Sequence, residues 1–184
     1  MRIRRTLAVA LAATAALVLV ASSATASSVH LKGGRNAEPA FVDGGLTLTA
    51  SGNLAGLGNG DVLVTLDADA DVTSTCTNQG GNQAPGQNPA PITVTGSQAI
   101  PAAEIKNGNT PFSVVTVAPD PVIPGAPDCP NTNWTEAIED LAFTHAVITV
   151  DQPPGTTVLT VTCSISPASS DGSVPGGSVS CTQS

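Results

Sequence analysis

Aromatic side chains are almost missing from this chain: its 184 residues hold no tyrosine, one tryptophan and three phenylalanines. A cleft that grips sugars is built on aromatic platforms. A sugar hydrolase is therefore disfavoured, although clustered carboxylates for such work stand at Glu136, Glu139 and Asp140. Histidine occurs twice, as His30 and His145, and no G-x-S-x-G motif is present. A nucleophile–base–orienter set thus has little to draw on. His145 falls inside a strand-like run, where the plain reading is a half-exposed strand residue rather than a general base. These shortages predict a protein that is not an enzyme and that carries no organic cofactor.

Long apolar runs are equally scarce, and the one that exists sits at the N-terminus. Arg2, Arg4 and Arg5 flank its start, LAVALAATAALVLV fills residues 7–20, and Ala24 and Ala26 then form an A-x-A cleavage site. Fourteen residues fall short of the roughly 20 that a spanning helix needs. Residues 1–26 therefore read as a cleavable secretory signal peptide, and the product as a secreted, extracellular protein without membrane insertion. Cleavage leaves 158 residues (184 − 26), in which Lys32, Arg35 and Lys106 face 14 acidic side chains, a net charge of −11. So acidic a surface repels nucleic acid and anionic membranes.

Paired C-x-x-C spacing is absent too, which argues against a structural metal site. Cys76, Cys129, Cys163 and Cys181 all lie beyond the signal segment, and an even count in an exported chain predicts two disulfides. Three connectivities are possible. The expected pairs are Cys76–Cys129 and Cys163–Cys181, because Cys163 and Cys181 each end a strand-like run and flank one long turn.

What the chain does have is period-two alternation. Residues 27–39 (SSVHLKGGRNAEP) read as a flexible lead-in, and residues 40–184 as a single domain. Leu46 and Leu48 alternate with Thr47 and Thr49, and Val62, Val64 and Leu66 continue the pattern. PITVTGSQAI, PFSVVTVAP, THAVITVDQ, TTVLTVTCSI and GSVSCTQ complete seven to eight short strands. One wet and one packed face per strand predicts an all-β, immunoglobulin-like antiparallel β-sandwich, stapled by disulfides, with at most one short helix. Residues 78–91 are a polar low-complexity loop, and residues 118–131 a proline-rich one tied at Cys129. The helix candidate starts at Asn133, with Glu136 at the capping-box position and Trp134, Ala137, Ile138 and Leu141 at helical spacing. A distorted strand is the alternative. On the helical reading Glu136, Glu139 and Asp140 form the wet face.

Asp67, Asp69 and Asp71 alternate with alanines, so a strand would project all three from one face, about 7 Å apart. Such a row is a candidate calcium site, although the EF-hand pattern fails at Val72 and Asn78. The competing reading is a solvated stripe that protects a sheet edge. Trp134 either packs near a disulfide or anchors a partner. Asn133-Trp134-Thr135 matches a glycosylation sequon.

The segments SGNLAGLGNGDV, GGNQAPGQNP, PGAPDCPNTNWTE and QPPGTTVLTVTC resemble a group of small secreted proteins of high-GC actinobacteria, a family with no assigned activity. The resemblance implies a bacterial, extracellular setting without glycosylation at Asn133, and it carries no catalytic or binding residues over. The functional expectation is a non-enzymatic interaction or structural module, monomeric, whose partner is an extracellular protein or a cell-envelope component. Two rivals stand beside it. One is a calcium-stabilised binding domain using Asp67, Asp69 and Asp71, and the other an inhibitor of secreted proteases using the proline-rich loop.

Overall fold

The computed structural model describes residues 28–87 and 89–184, so the signal-peptide reading of residues 1–26 lies outside the described residues. Two antiparallel sheets form a sandwich. The five-stranded sheet contains β1 (His30–Leu31), β2 (Ala40–Asp43), β3 (Leu48–Ala55), β7 (Thr110–Val115) and β11 (Gly172–Ser173). The seven-stranded sheet contains β4 (Val62–Thr77), β5 (Gln83–Pro85), β6 (Ile92–Ile100), β8 (Val122–Ile123), β9 (Thr135–Asp151), β10 (Thr157–Ile165) and β12 (Val179–Gln183). Among the described residues eight of the twelve strands are four residues or longer, and all of these but β2 coincide with alternating runs in the sequence. The remaining four are too short to show a period.

The strands obey the alternation that built them. In β4, Val62, Val64, Leu66, Ala68 and Ala70 are buried, while Leu63, Thr65, Asp67, Asp69 and Asp71 point outward. Phe41, Leu48 and Leu54 meet Leu66, Ile100, Leu141, Phe143 and Ile148 in one core between the sheets. Each such side chain contributes about 1.5–3 kcal/mol by leaving water. Part of the expected lead-in belongs to this core. Leu31 pairs with Leu54 on β3, and Val29 and Leu31 are buried.

The expected helix over residues 133–141 is instead the start of β9. Its register against β4 slips twice: Ile138 faces Ser74 and Asp140 faces Thr73, so Glu139 is an extra residue, and Thr144 is extra between Phe143 and His145. Each bulge lengthens the spacing of buried residues from two to three, giving Ile138 then Leu141 and Phe143 then Ala146. A spacing of three within a run of twos imitates the helical pattern, which is why the helix template fits Ile138 and Leu141. The short helical turns that do occur are 3-10 turns at Ala102–Glu104 and Gly176–Ser178.

Beyond Ala70, where β6 stops pairing, β4 and β9 continue as a ribbon flanked by β5 and β8. Two features seal the sandwich below it. At one corner β7 crosses close over β6, and the Val117 N–H donates to the Thr95 carbonyl. At another, the Gln183 amide accepts the Leu31 N–H and donates to the carbonyls of Gly34, Arg35 and Ala37. This clasp fastens the C-terminal strand to the segment that follows β1.

Candidate functional site

The outer face of the seven-stranded sheet carries the acidic row. Asp67, Asp69 and Asp71 do project from one side, but Asp67 and Asp69 lie where β4 runs between β6 and β9, and Asp71 lies one residue past the last β6 pair, at Ala70. The edge-protecting reading is thereby corrected for Asp67 and Asp69; strand order is a tertiary property that alternation alone does not encode. Thr95 donates its hydroxyl to Asp67 at 2.6 Å, and Thr93 donates to Asp69 at 2.6 Å, each from the directly opposite position on β6. Among the described residues no three His, Cys, Asp or Glu side chains are grouped closely enough to hold a metal ion.

His145 sits opposite Asp69 on β9, with its Nδ1 3.5 Å from the carboxylate. Ser164 is its neighbour on the other side, on β10. An Asp–His–Ser order thus crosses three adjacent strands. The hydroxyl of Ser164 turns to the Ser180 carbonyl, and His145 and Asp69 are 38% and 51% exposed. The N–H groups of regularly paired strands lie in the plane of the sheet, not toward its outer face. A solvated contact of this kind contributes at most about 1 kcal/mol.

The densest chemistry lies at the ribbon. Glu136, expected on a wet helix face, is fully buried at 0% exposure because strand pairing, not helical periodicity, sets its direction. Its carboxylate accepts the Ser74 hydroxyl at 2.7 Å and the Asp128 N–H at 3.3 Å. Gly86 leaves the room: a Cβ there would come within 1.9 Å of the Ser74 Oγ. Cys76, directly opposite Glu136, bonds Cys129, and Cys163 bonds Cys181 across the β10–β12 pair. The Gln87 N–H donates to the Asp128 carbonyl, and the Ile138 N–H to that of Pro121. Loop 116–134 is therefore held from beneath at several points. Trp134, at its end, is half-buried, and Glu139 is exposed.

A second buried carboxylate joins the sheets. Asp43, 3% exposed at the end of β2, accepts the Ser169 hydroxyl and the Gly45 N–H. The same Ser169 oxygen accepts the Phe143 N–H from the bulged part of β9. Burial pushes the Asp43 carboxyl above the ordinary carboxylate value; the two hydrogen bonds act the other way, and the nearby Asp140 and Asp171 raise it further. Asp43-Gly44-Gly45 is legible as a turn, but nothing marks Ser169, 126 residues later, as its partner.

Beside the C-terminus a cleft of about 540 Å³ is lined by His30, Arg35, Leu159 and Gln183 among others. It is open, and among the described residues that line it Arg35, in an exposed loop, is the one fixed cation. No helix among the described residues is long and apolar enough to cross a membrane. Comparison with protein-family models, with curated proteins and with solved structures finds no match for this chain.

Proposed function

We propose that this chain is an exported, non-catalytic interaction module of immunoglobulin-like architecture, whose working surface is loop 116–134 beside the β4–β9 ribbon. One observation carries the reading. The loop spans 19 residues with only a two-residue strand of its own, yet a disulfide, a buried carboxylate and the Pro121–Ile138 bond fix it in place. Long ordered loops on a rigid scaffold are where binding surfaces concentrate, and a prefixed loop loses little conformational entropy when it binds. Two disulfides fit an oxidising, extracellular setting, and the resemblance to secreted actinobacterial proteins agrees with it. The partner is an extracellular protein or a cell-envelope component. The test is retention: the immobilised protein should bind a component of the producer's secreted or cell-wall fraction saturably. Absence of saturable binding in both fractions overturns the reading.

The same tie at Cys129 favours a second reading, inhibition of secreted proteases by the half of the loop nearest that cysteine. Dose-dependent inhibition in a panel of serine and metalloproteases supports it, and no inhibition at micromolar concentration removes it.

A further inference from the structure

Asparagine followed by glycine occurs twice in the chain, at Asn59-Gly60 and Asn107-Gly108. The pair carries a chemistry of its own. The glycine backbone nitrogen attacks the asparagine Cγ; the N–Cγ bond forms as the Cγ–Nδ2 bond breaks, and ammonia leaves with the proton of the attacking nitrogen. Water then opens the cyclic imide at either carbonyl. The products are aspartate and isoaspartate, the latter with an extra methylene in the main chain. Glycine favours the attack because no Cβ shields its nitrogen and its φ is free. The ring closes only when that nitrogen swings to the same side as the asparagine Cβ, so the local backbone decides which pair reacts.

Asn107 and Gly108 are the central residues of a two-residue turn, with φ of 52° and 72°. The Lys106 N–H donates to the Asn109 carbonyl at 2.8 Å, and the Asn109 N–H returns to Lys106 at 3.0 Å. In the left-handed region, with ψ of about +47°, the following nitrogen lies nearly opposite the residue's own Cβ. That is the worst placement for ring closure, and the fold holds it there. The Gly108 carbonyl accepts the Leu57 N–H at 3.0 Å, and the Asn107 carbonyl accepts the Asn109 Nδ2 at 2.8 Å.

The other pair stands differently. Asn59 is exposed, and neither it nor Gly60 has a left-handed φ. Their loop, between β3 and β4, is clamped by the buried Gln152. Its Oε1 accepts the Gly58 N–H at 2.7 Å, and its Nε2 donates to the Gly58 and Gly60 carbonyls at 3.1 and 2.7 Å. The clamp skips the peptide between its two ends. Among the described residues the Asn59 carbonyl, the Asn59 carboxamide and the Gly60 N–H have no hydrogen-bond partner. This peptide plane therefore turns between fixed neighbours without breaking a bond, and Gly60 accepts the new φ at little cost.

We infer that Asn59 is a self-modification site, converted to aspartate and isoaspartate by the Gly60 nitrogen and water, and that the isoaspartate form loosens the Gln152 clamp. The added methylene lengthens the chain between the two carbonyls that Nε2 bridges, so both bonds no longer fit one amide. The site lies outside loop 116–134 and does not depend on its role. The test is to age the folded full chain at mildly alkaline pH, which favours the attacking anion, and to follow both asparagines by peptide mass mapping. Methyltransferase labelling distinguishes isoaspartate. Asn59 should convert about tenfold faster than Asn107, or more. In urea, where the turn at Asn107 is lost, the two rates should converge, which separates the fold's contribution from the shared dipeptide. Gly60→Ala should slow Asn59 by about tenfold or more. A Cβ there meets the Gln152 Cγ at 3.8 Å, an ordinary contact, so the fresh variant should melt with the parent. Hydrogen exchange at the Gly58 amide should rise in the isoaspartate fraction. Asn107 converting as fast as Asn59 in the folded protein, or Asn59 staying intact while the urea-unfolded chain converts, overturns the inference. Unchanged exchange at Gly58 after conversion overturns its link to the clamp.

Discussion

Replacing Gly96 by alanine should destabilise the domain by about 3 kcal/mol, against the usual preference of strands for any side chain over glycine. Gly96 lies within β6 opposite Leu66, where propensity alone favours alanine by about 0.5–1 kcal/mol. The corner forbids it. A Cβ on Gly96 would stand 1.9 Å from the Val115 carbonyl oxygen, 2.6 Å from its carbon and 2.7 Å from the Thr116 Cα. All three are backbone atoms, so no side chain can swing aside and β7 must withdraw. Withdrawal strains three hydrogen bonds: Thr116 to Leu48, Leu48 to Thr116 and Val117 to Thr95. At about 1 kcal/mol each if all three were lost, added to the 1–3 kcal/mol typical of overpacking, the gross cost is roughly 4–6 kcal/mol. Partial retention of those bonds and the propensity gain bring the net to about 3 kcal/mol.

Urea unfolding should show this as a lower midpoint with an unchanged slope. For a domain of this size a melt should shift down by about 6–12 °C. Ser97→Ala, the next residue on β6 and outward-facing, serves as the control and should stay within about 0.5 kcal/mol. A Gly96→Ala protein as stable as the parent, or more so, would refute the close crossing of β7 over β6.

Gln183→Ala should cost about 1–3 kcal/mol, since Leu31 loses its acceptor and three carbonyls their donor; hydrogen exchange at the Leu31 amide should rise with it. Glu136→Ala should cost about 2–4 kcal/mol by stranding the Ser74 hydroxyl and the Asp128 N–H, with limited proteolysis cutting loop 116–134 first. Asp43 has a raised folded-state value, so the folded protein binds its proton more tightly than the unfolded chain does. Its contribution is full below the ordinary value of 3.8 and is lost as pH rises through the folded value. Melts across the acid range should therefore show the parent losing ground to Asp43→Asn with rising pH, and a constant difference would contradict this. Saturating calcium or a chelator should leave the melting midpoint in place, because Thr95 and Thr93 already engage Asp67 and Asp69; a rise with calcium would favour the cation reading instead.

The legible parts of this molecule are those written in local alternation. Val62, Val64 and Leu66 announce β4, and the outward direction of Asp67, Asp69 and Asp71 follows from the same period. What escaped is non-local. That Asp67 and Asp69 are central depends on β6 and β9 both choosing β4, and no residue within β4 says so. Ile138 and Leu141 misled because a bulge inserts one residue, and a single inserted residue is indistinguishable from a helical step in a short window. Glu136 escaped for the opposite reason: a glutamate with no nearby cation is ordinarily solvent-facing. Its burial is explained only by Ser74 and Asp128, which reach it from another strand and from the loop. The loop itself was marked by its prolines and by Cys129, but the bonds that hold it to Thr95 and Ile138 were not.

Those anchors tie the proposed function to the fold in a way that propensity would not suggest. Thr116, which the close approach at Gly96 admits into the corner, is the residue from which loop 116–134 departs, and Ile138, which binds the Pro121 carbonyl of that loop, lies beside the first bulge of β9. A fixed loop therefore requires both the sealed corner and the extended ribbon. Loosening the corner should weaken binding at loop 116–134, because the loop would then have to be ordered on docking. Conversely, a bound partner should raise the melting midpoint, by about 2.7 kcal/mol of stability at a hundredfold excess over the dissociation constant. Stability and affinity are thus coupled through Thr116. A Gly96→Ala protein that lost stability but bound as tightly as the parent would separate them, and would show that the loop is held in place by its disulfide and its bonds to Glu136 and Ile138 without the corner.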